Sequence, residues 1–243
     1  MSETMATIFH ITHWKAGSQW IHRILLECVP GEKVVSPEVD EAQFLQRSLE
    51  DGKVYPTVYI TREQFYSVTL PKVWNRFVVI RDLRDTLVSA YFSIKYSHQT
   101  IAPRLAKWRD ALQEIDEAKG LLFLMDEWLP ASAEIQESWQ RSDEPIYRYE
   151  DLLENDLDIL ETILLKKCQL PLEPTRFRKI VLECRFDQVS GGRKRGEENV
   201  MAHERKGVAG DWRNHFSREV TQAFKERFAT LLIKTGYEAD ENW

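Results

Sequence analysis

An α/β fold is what this sequence predicts, on three observations: a short apolar run gives way to a helical period at residues 6–28, again after residue 76, and again after residue 145. In the first, Ile8, Phe9 and Ile11 are β-branched or aromatic and suit a buried strand. Trp20, Ile21, Ile24, Leu25 and Cys28 then recur at three- and four-residue intervals, as one face of a helix does. In the second, RFVVI at 76–80 is a continuous apolar run of the kind buried on both faces of a parallel sheet. The third is PIYRY at 145–149, followed by a helix that opens on Glu150. With 243 residues, 43% of them hydrophobic, the chain can bury one sizeable core, and a single domain over 1–243 is expected.

The first strand–helix junction carries the chemistry. Lys15 to Gln19 expose backbone N–H groups at a helix start, where the dipole and the orphan donors favour an anion. Gly17 lets the chain approach an oxyanion closely, Ser18 and Gln19 donate hydrogen bonds, and Lys15 adds a mobile positive charge. A phosphate or sulfate fits such a junction; so does an ordinary turn with a surface lysine. A Walker A loop needs G-x-x-x-x-G-K-[ST], and here Lys15 precedes Gly17 with no glycine upstream, which disfavours an ATPase or kinase of that type.

The net charge of −6 argues against a dedicated nucleic-acid binder, so any anion site is local. Cys28, Cys168 and Cys184 are unevenly spaced and contain no C-x-x-C, which suggests neither a disulfide framework nor a metal site and fits a reducing cytoplasm. No apolar run reaches the length of a membrane span, and LLFLM at 121–125 reads as a buried helix segment.

Further along, 32–35 reads as a short strand and 38–49 as a polar helix with Val39, Ala42, Phe44, Leu45 and Leu49 as its apolar positions. VYPTVYI at 54–60 is β-rich, with Pro56 pointing to a sheet edge. After RFVVI, Arg81-Asp82-Leu83-Arg84-Asp85 enters a helix that Asp82 or Asp85 can cap, which places a second cation at a strand's carboxyl end, where open α/β sheets bind ligands. Residues 104–140 are helical in composition, with interruptions expected near Gly120 and Pro130, and Trp108, Trp128 and Trp139 read as core. Helices are expected at 156–169, 174–184 and 216–233. Between the last two, 191–214 is rich in glycine and charge, suited to an anion lid or a solvated linker.

Three separated pieces together resemble the PAPS-dependent sulfotransferases. KAGSQW resembles their 5′-phosphosulfate loop, usually YPKSGTTW; RDLRDTLVSAYFS resembles their 3′-phosphate segment; and ERKGVAGDWRNHF resembles their RKGxxGDWKNxF signature. The resemblance implies a three-layer fold related to nucleotide kinases, with a central parallel sheet flanked by helices. It also implies transfer of a sulfuryl group from PAPS to a hydroxyl or amine on a small molecule or glycan, releasing adenosine 3′,5′-bisphosphate (PAP). On that resemblance Lys15, Ala16, Gly17, Ser18 and Gln19 surround the 5′-phosphosulfate and Trp20 stacks on adenine. Arg81 and Ser89 hold the 3′-phosphate, and Arg205, Lys206 and Gly207 complete that pocket. Tyr149, Cys184 and Phe186 fall near the base.

Lys15 is the implied catalytic cation, by analogy with loose phosphoryl transfer. The family's T-H-x-P histidine has no counterpart in VYITREQFYSV. His13, in the tyrosine slot of Y-P-K, is the leading base, because histidine's pKa lies nearest neutral pH, and Glu63 and His98 follow. His10, His22, His203 and His215 read as structural. Arg213, Ser217, Arg218 and Gln222 stand where lysine, threonine, valine and glutamate are typical, so the family's usual dimer is not implied and the oligomeric state stays open. The missing T-H motif leaves a second reading, a PAPS- or PAP-binding protein with a regulatory role that has lost transfer.

Overall fold

The computed structural model describes residues 5–37, 41–98, 103–141 and 144–243. Among them, β1 (Thr7–Thr12), β2 (Val54–Val58), β3 (Trp74–Ile80) and β4 (Ile146–Arg148) form one parallel sheet in the spatial order β2-β1-β3-β4. The helices interleave with them: α1 (Ser18–Cys28), α2 (Glu41–Gln46), α3 (Arg62–Ser67), α4 (Leu83–Phe92), α5 (Pro103–Gln113), α6 (Glu117–Glu127) and α7 (Leu129–Gln140) come before β4. After it come α8 (Tyr149–Glu161), α9 (Pro174–Glu183), α10 (Phe186–Val189) and α11 (Arg218–Lys234).

β1 and β3 occupy the middle of the sheet and are covered on both sides. Ile8, Phe77 and Val79 join a core with Ile21, Leu25, Leu152 and Phe177 of α1, α8 and α9. Phe9, Ile11, Val78 and Ile80, the alternate positions, join a second core with Phe44, Phe65 and Trp139 of α2, α3 and α7. Burying each such side chain contributes about 1.5–3 kcal/mol, and the strand period of two is what lets one short segment supply both faces. A third core, of α4, α6, α7, α11 and Trp212, stands beside the sheet. Pro56 has no N–H for a ladder, and β2 is an edge strand.

Several local expectations change. At 32–35 the chain makes a 3-10 turn (Gly31–Lys33) and a single bridge, Val34 to Val54, in place of a strand. The polar helix is confined to α2, and residues 38–40 of its expected span, Val39 among them, lie outside the described residues. An interruption does fall near Pro130, whereas Gly120 interrupts nothing. Gly120 lies inside α6, where an added Cβ would fall 2.5 Å from Tyr91 Cε2, so glycine there serves close packing against α4. Pro130 sits in the first turn of α7, where its missing N–H costs nothing. The breaks fall at Trp128 and before α6, where Asp116 caps by accepting from the Lys119 N–H at 2.9 Å.

Asn155 (φ −132°, ψ 46°) kinks α8, so the helix opened by Tyr149 and the one expected from 156 are two halves of one element, continued by a π turn through Thr162–Lys167. Trp139 is fully buried, with its indole N–H donating to the Ile60 carbonyl at 3.0 Å, while Trp108 and Trp128 pack half-buried on the helical core. Cys28, Cys168 and Cys184 are free and buried.

Candidate functional site

Each strand hands a side chain to one cavity just past its carboxyl end: Lys15 after β1, Tyr59 after β2, Arg81 after β3 and Tyr149 after β4. The cavity holds about 240 Å³ and lies where the topology of open α/β sheets places ligands.

The β1–α1 junction forms its floor. Lys15 (φ 65°) and Gly17 (φ 84°) both take left-handed backbone, which turns the chain sharply into α1. Gly17 caps α1 without any side-chain bond, and no acidic residue occupies the first turn, so the leading N–H groups remain available to an anion. An added Cβ on Gly17 would lie 2.6 Å from Tyr149 Cδ2, which explains glycine here: the Tyr149 ring closes down on the loop. Ser18 Oγ pairs with the Tyr59 hydroxyl at 3.0 Å, and Trp14 stacks on the Tyr59 ring at 4.6 Å. Gln19 is exposed at the cavity, and Trp20 meets Tyr149 edge to face at 6.2 Å. Lys15 Nζ makes no hydrogen bond or ion pair among the described residues. Burial, then the neighbouring charges of Arg81 and Arg205, lower its pKa to about 8 against the opposing pull of Glu204.

Arg81 binds the junction to the opposite wall. Its Nη1 donates to the Lys15 carbonyl at 3.1 Å and its Nη2 to the Val208 carbonyl at 3.3 Å, and the guanidinium lies 4.8 Å over the Tyr149 ring. Asp82 caps α4 by accepting from the Arg84 N–H at 2.9 Å, which starts the helix directly after Arg81 and brings Ser89 to the cavity two turns later.

The signature after residue 204 hangs on two buried carboxylates. Asp85 accepts from the N–H groups of Gly210 at 2.6 Å and Trp212 at 2.9 Å. Asp211 accepts from Lys206 Nζ at 2.6 Å, from Asn214 at 2.9 Å and from Arg205, which also pairs with Glu198. Burial opposes the charge on Asp211, yet the donors around it, His215 first, hold its carboxyl well below the usual carboxylate range. Gly207 (φ 66°) lies against Phe186, whose Cδ2 would be 2.5 Å from an added Cβ, and Phe186 and the buried Cys184 line the same cavity.

Lys15, Gly17, Ser18, Gln19 and Trp20 therefore share one cavity with Arg81 and Ser89, with Tyr149, Cys184 and Phe186, and with Arg205, Lys206 and Gly207. Three expected site residues stand apart. Ala16 is fully buried and lends only main chain. Glu63, in the first turn of α3, is exposed and does not line the cavity. His13 is wholly buried behind the wall, and burial lowers its pKa to about 3, so its imidazole is no base for a substrate. His98 does line the cavity. So does His203, read above as structural: its side chain is exposed at the cavity, and partial desolvation there, then the charge of Lys15, lowers its pKa from the ordinary 6.5. Arg23, Arg195 and Glu204 also line it and were not singled out: Arg195 and Glu204 belong to the charged 191–214 stretch expected as a lid or linker, while Arg23, on α1, gave no signal.

Fold and site together define an α/β protein with a cationic ligand cavity at the carboxyl edge of a parallel sheet. The chain belongs to the sulfotransferase domain family, whose sequence model matches residues 6–236. Among solved structures it is similar to mouse sulfotransferase SULT7A1 complexed with PAP, at 18% identity, 96% of this chain, 85% of that chain and a TM-score of 0.62. Retinol dehydratase is similar in its complex with retinol and PAP (16% identity, 90% and 79% of the two chains, TM-score 0.54). It is similar again in its complex with androsterone and inactive cofactor PAP (15%, 93% and 80%, 0.55). No curated protein sequence matches the chain. Among the described residues no helix is long and apolar enough to cross a membrane.

Proposed function

We propose that the chain transfers a sulfuryl group from PAPS to the hydroxyl or amine of a small-molecule acceptor, with PAP as the second product. One observation carries this reading: in a member of the sulfotransferase domain family, Lys15, Arg81 and Arg205 line a single cavity. The cavity also fits the donor. Arg81 Nε and Trp20 Nε1 are buried there with no hydrogen-bond partner among the described residues, and glycines 17 and 207 let the Tyr149 and Phe186 rings close on the backbone that lines it.

When bound, PAPS supplies an activated sulfuryl group. Arg81 and Ser89 hold the 3′-phosphate with Arg205, Lys206 and Gly207, arginine's planar fork being suited to a phosphate dianion. Trp20, Tyr149, Cys184 and Phe186 enclose the adenine. The free N–H groups of residues 16–19 and the hydroxyl of Ser18 face the 5′ end, where Lys15 places a positive charge against the negative charge that develops on the leaving group. With His13 behind the wall and Glu63 on the outside, the imidazole that takes the acceptor's proton is His203, which feels the charge of Lys15, with His98 as its neighbour in the cavity. A small hydroxylated acceptor agrees with the retinol and androsterone held by two of the solved neighbours.

The test is PAPS with a panel of phenols, alcohols, amines and sugars, following transferred sulfur, beside calorimetry with PAP. Sulfation of an acceptor supports the reading. PAP binding with no acceptor sulfated favours the regulatory binding protein, and failure to bind PAP overturns both.

A further inference from the structure

His13 sits at the end of β1, next to the loop that carries Lys15, yet faces away from the cavity and meets three polar groups. Its Nδ1 lies 3.0 Å from the Trp14 carbonyl. Its Nε2 lies 3.1 Å from the Arg81 N–H and 2.8 Å from Gln136 Nε2. Gln136 in turn donates to the Arg81 carbonyl at 2.6 Å and is itself fully buried.

These contacts fix every proton. The Arg81 carbonyl accepts only, so the Gln136 amide must present its NH2 group there, and its second N–H then points at His13 Nε2. That nitrogen, already facing the Arg81 N–H, is an acceptor of two donors, and Nδ1 carries the hydrogen donated to Trp14. Protonating Nε2 would set three N–H groups against one another in a fully buried site, so the imidazole stays neutral in the folded protein.

We infer that His13 is a positioning residue: its neutral imidazole, with Gln136, ties the carboxyl ends of β1 and β3 to α7 and so fixes the spacing of Lys15 and Arg81 around the donor. The Arg81 main chain is held at both its N–H and its carbonyl, one by His13 and the other by Gln136. Its guanidinium then reaches back to the Lys15 carbonyl at 3.1 Å. A closed loop of bonds thus joins the two donor-binding segments, in which His13 and Gln136 hold the Arg81 main chain without themselves lining the cavity.

The inference rests on the proposed function, and its test separates the two. Calorimetry with PAP on the full chain is run for wild type, His13→Phe, which keeps a ring and removes the acceptor, His13→Gln, whose amide oxygen reaches the Nε2 position, and Gln136→Leu. His13→Phe and Gln136→Leu are expected to weaken PAP binding roughly tenfold or more, because each leaves buried donors or an acceptor unmatched at Arg81. His13→Gln is expected to recover most of that loss. In steady-state assays the variants raise KM for PAPS more than they lower kcat, and the shape of the pH–rate profile is unchanged. Wild type failing to bind PAP would sink the proposed function itself. Wild type binding PAP while His13→Phe and Gln136→Leu bind equally well, or a pH profile that loses its acidic limb in His13→Phe, overturns the positioning role alone. If His13→Phe does not fold, Gln136→Leu and His13→Gln decide the matter.

Discussion

The Tyr149 ring occupies the space that a side chain on Gly17 would need: an added Cβ would lie 2.6 Å from Tyr149 Cδ2, at a residue whose φ is already +84°. Gly17→Ala therefore meets two obstacles, a left-handed backbone costing about 1–2 kcal/mol for a residue with a Cβ and a clash that pushes Tyr149 off Arg81. Denaturant unfolding should show a loss of about 1–2 kcal/mol or more, and calorimetry should show weaker PAP binding. Unchanged values in both would mean that the loop has room this structure does not show.

On the proposed function, Lys15 divides rate from affinity. Lys15→Met should cost about 3–4 kcal/mol of transition-state stabilisation, the usual loss for a preorganised donor, with PAP affinity falling much less. Because the pKa of Lys15 is about 8, its charge is lost as pH rises through that value. kcat/KM, which reports the free enzyme, should fall above pH 8. Lys15→Arg, whose guanidinium stays charged, should move that limb out of range whatever its absolute rate.

On the proposed function, the acidic limb of the pH–rate profile belongs to His203. A base must be neutral, and partial desolvation with the charge of Lys15 keeps His203 neutral below its ordinary 6.5, so activity should persist under that pH before falling. His203→Gln should lower kcat by roughly 10²–10⁴-fold, the range for one general base, and flatten the limb. The same result from His98→Gln, with His203→Gln near wild type, would transfer the role to His98.

Stability carries its own pH signature through His10. It is fully buried, stacked on Phe77 at 4.8 Å and bonded to the Pro56 carbonyl at 2.6 Å, and burial lowers its pKa to about 4. The unfolded chain takes up this proton near pH 6.5, while the folded protein resists until near pH 4. The unfolded state therefore binds more protons across that window, and stability falls with pH from 6.5 downward. His13 acts in the same direction, with its folded pKa about 3. Unfolding midpoints between pH 7.5 and 4.5 should fall for wild type and fall less steeply for His10→Phe.

The parts of the fold visible in the sequence are those with a period. RFVVI reads as a central strand because it alternates between two cores, and Pro56 reads as an edge because it lacks a donor. What misled was a residue whose role is tertiary: Gly120 resembles a breaker and is a close-packing site under Tyr91, whereas Pro130 does mark a break, from the first turn of the helix that follows it. The cations that line the cavity were legible because glycine, arginine and lysine after strand ends read as an anion site. Which imidazole meets the cavity was not legible, since nothing in a sequence says which way a ring faces: His13 is adjacent to Lys15 along the chain and is buried behind the wall, while His203, far along and solvent-exposed, borders the cavity.

The outer margin of β2 has a consequence for handling the protein. Val34 bridges to Val54, the Val35 N–H donates to the Val54 carbonyl at 2.8 Å, and two residues on, Pro56 offers no N–H. A second chain laid against this border finds one stretch taken and the next unable to donate, so the sheet cannot grow sideways there by strand addition. Concentrated refolding is thereby denied a template for intermolecular β-stacking along that rim.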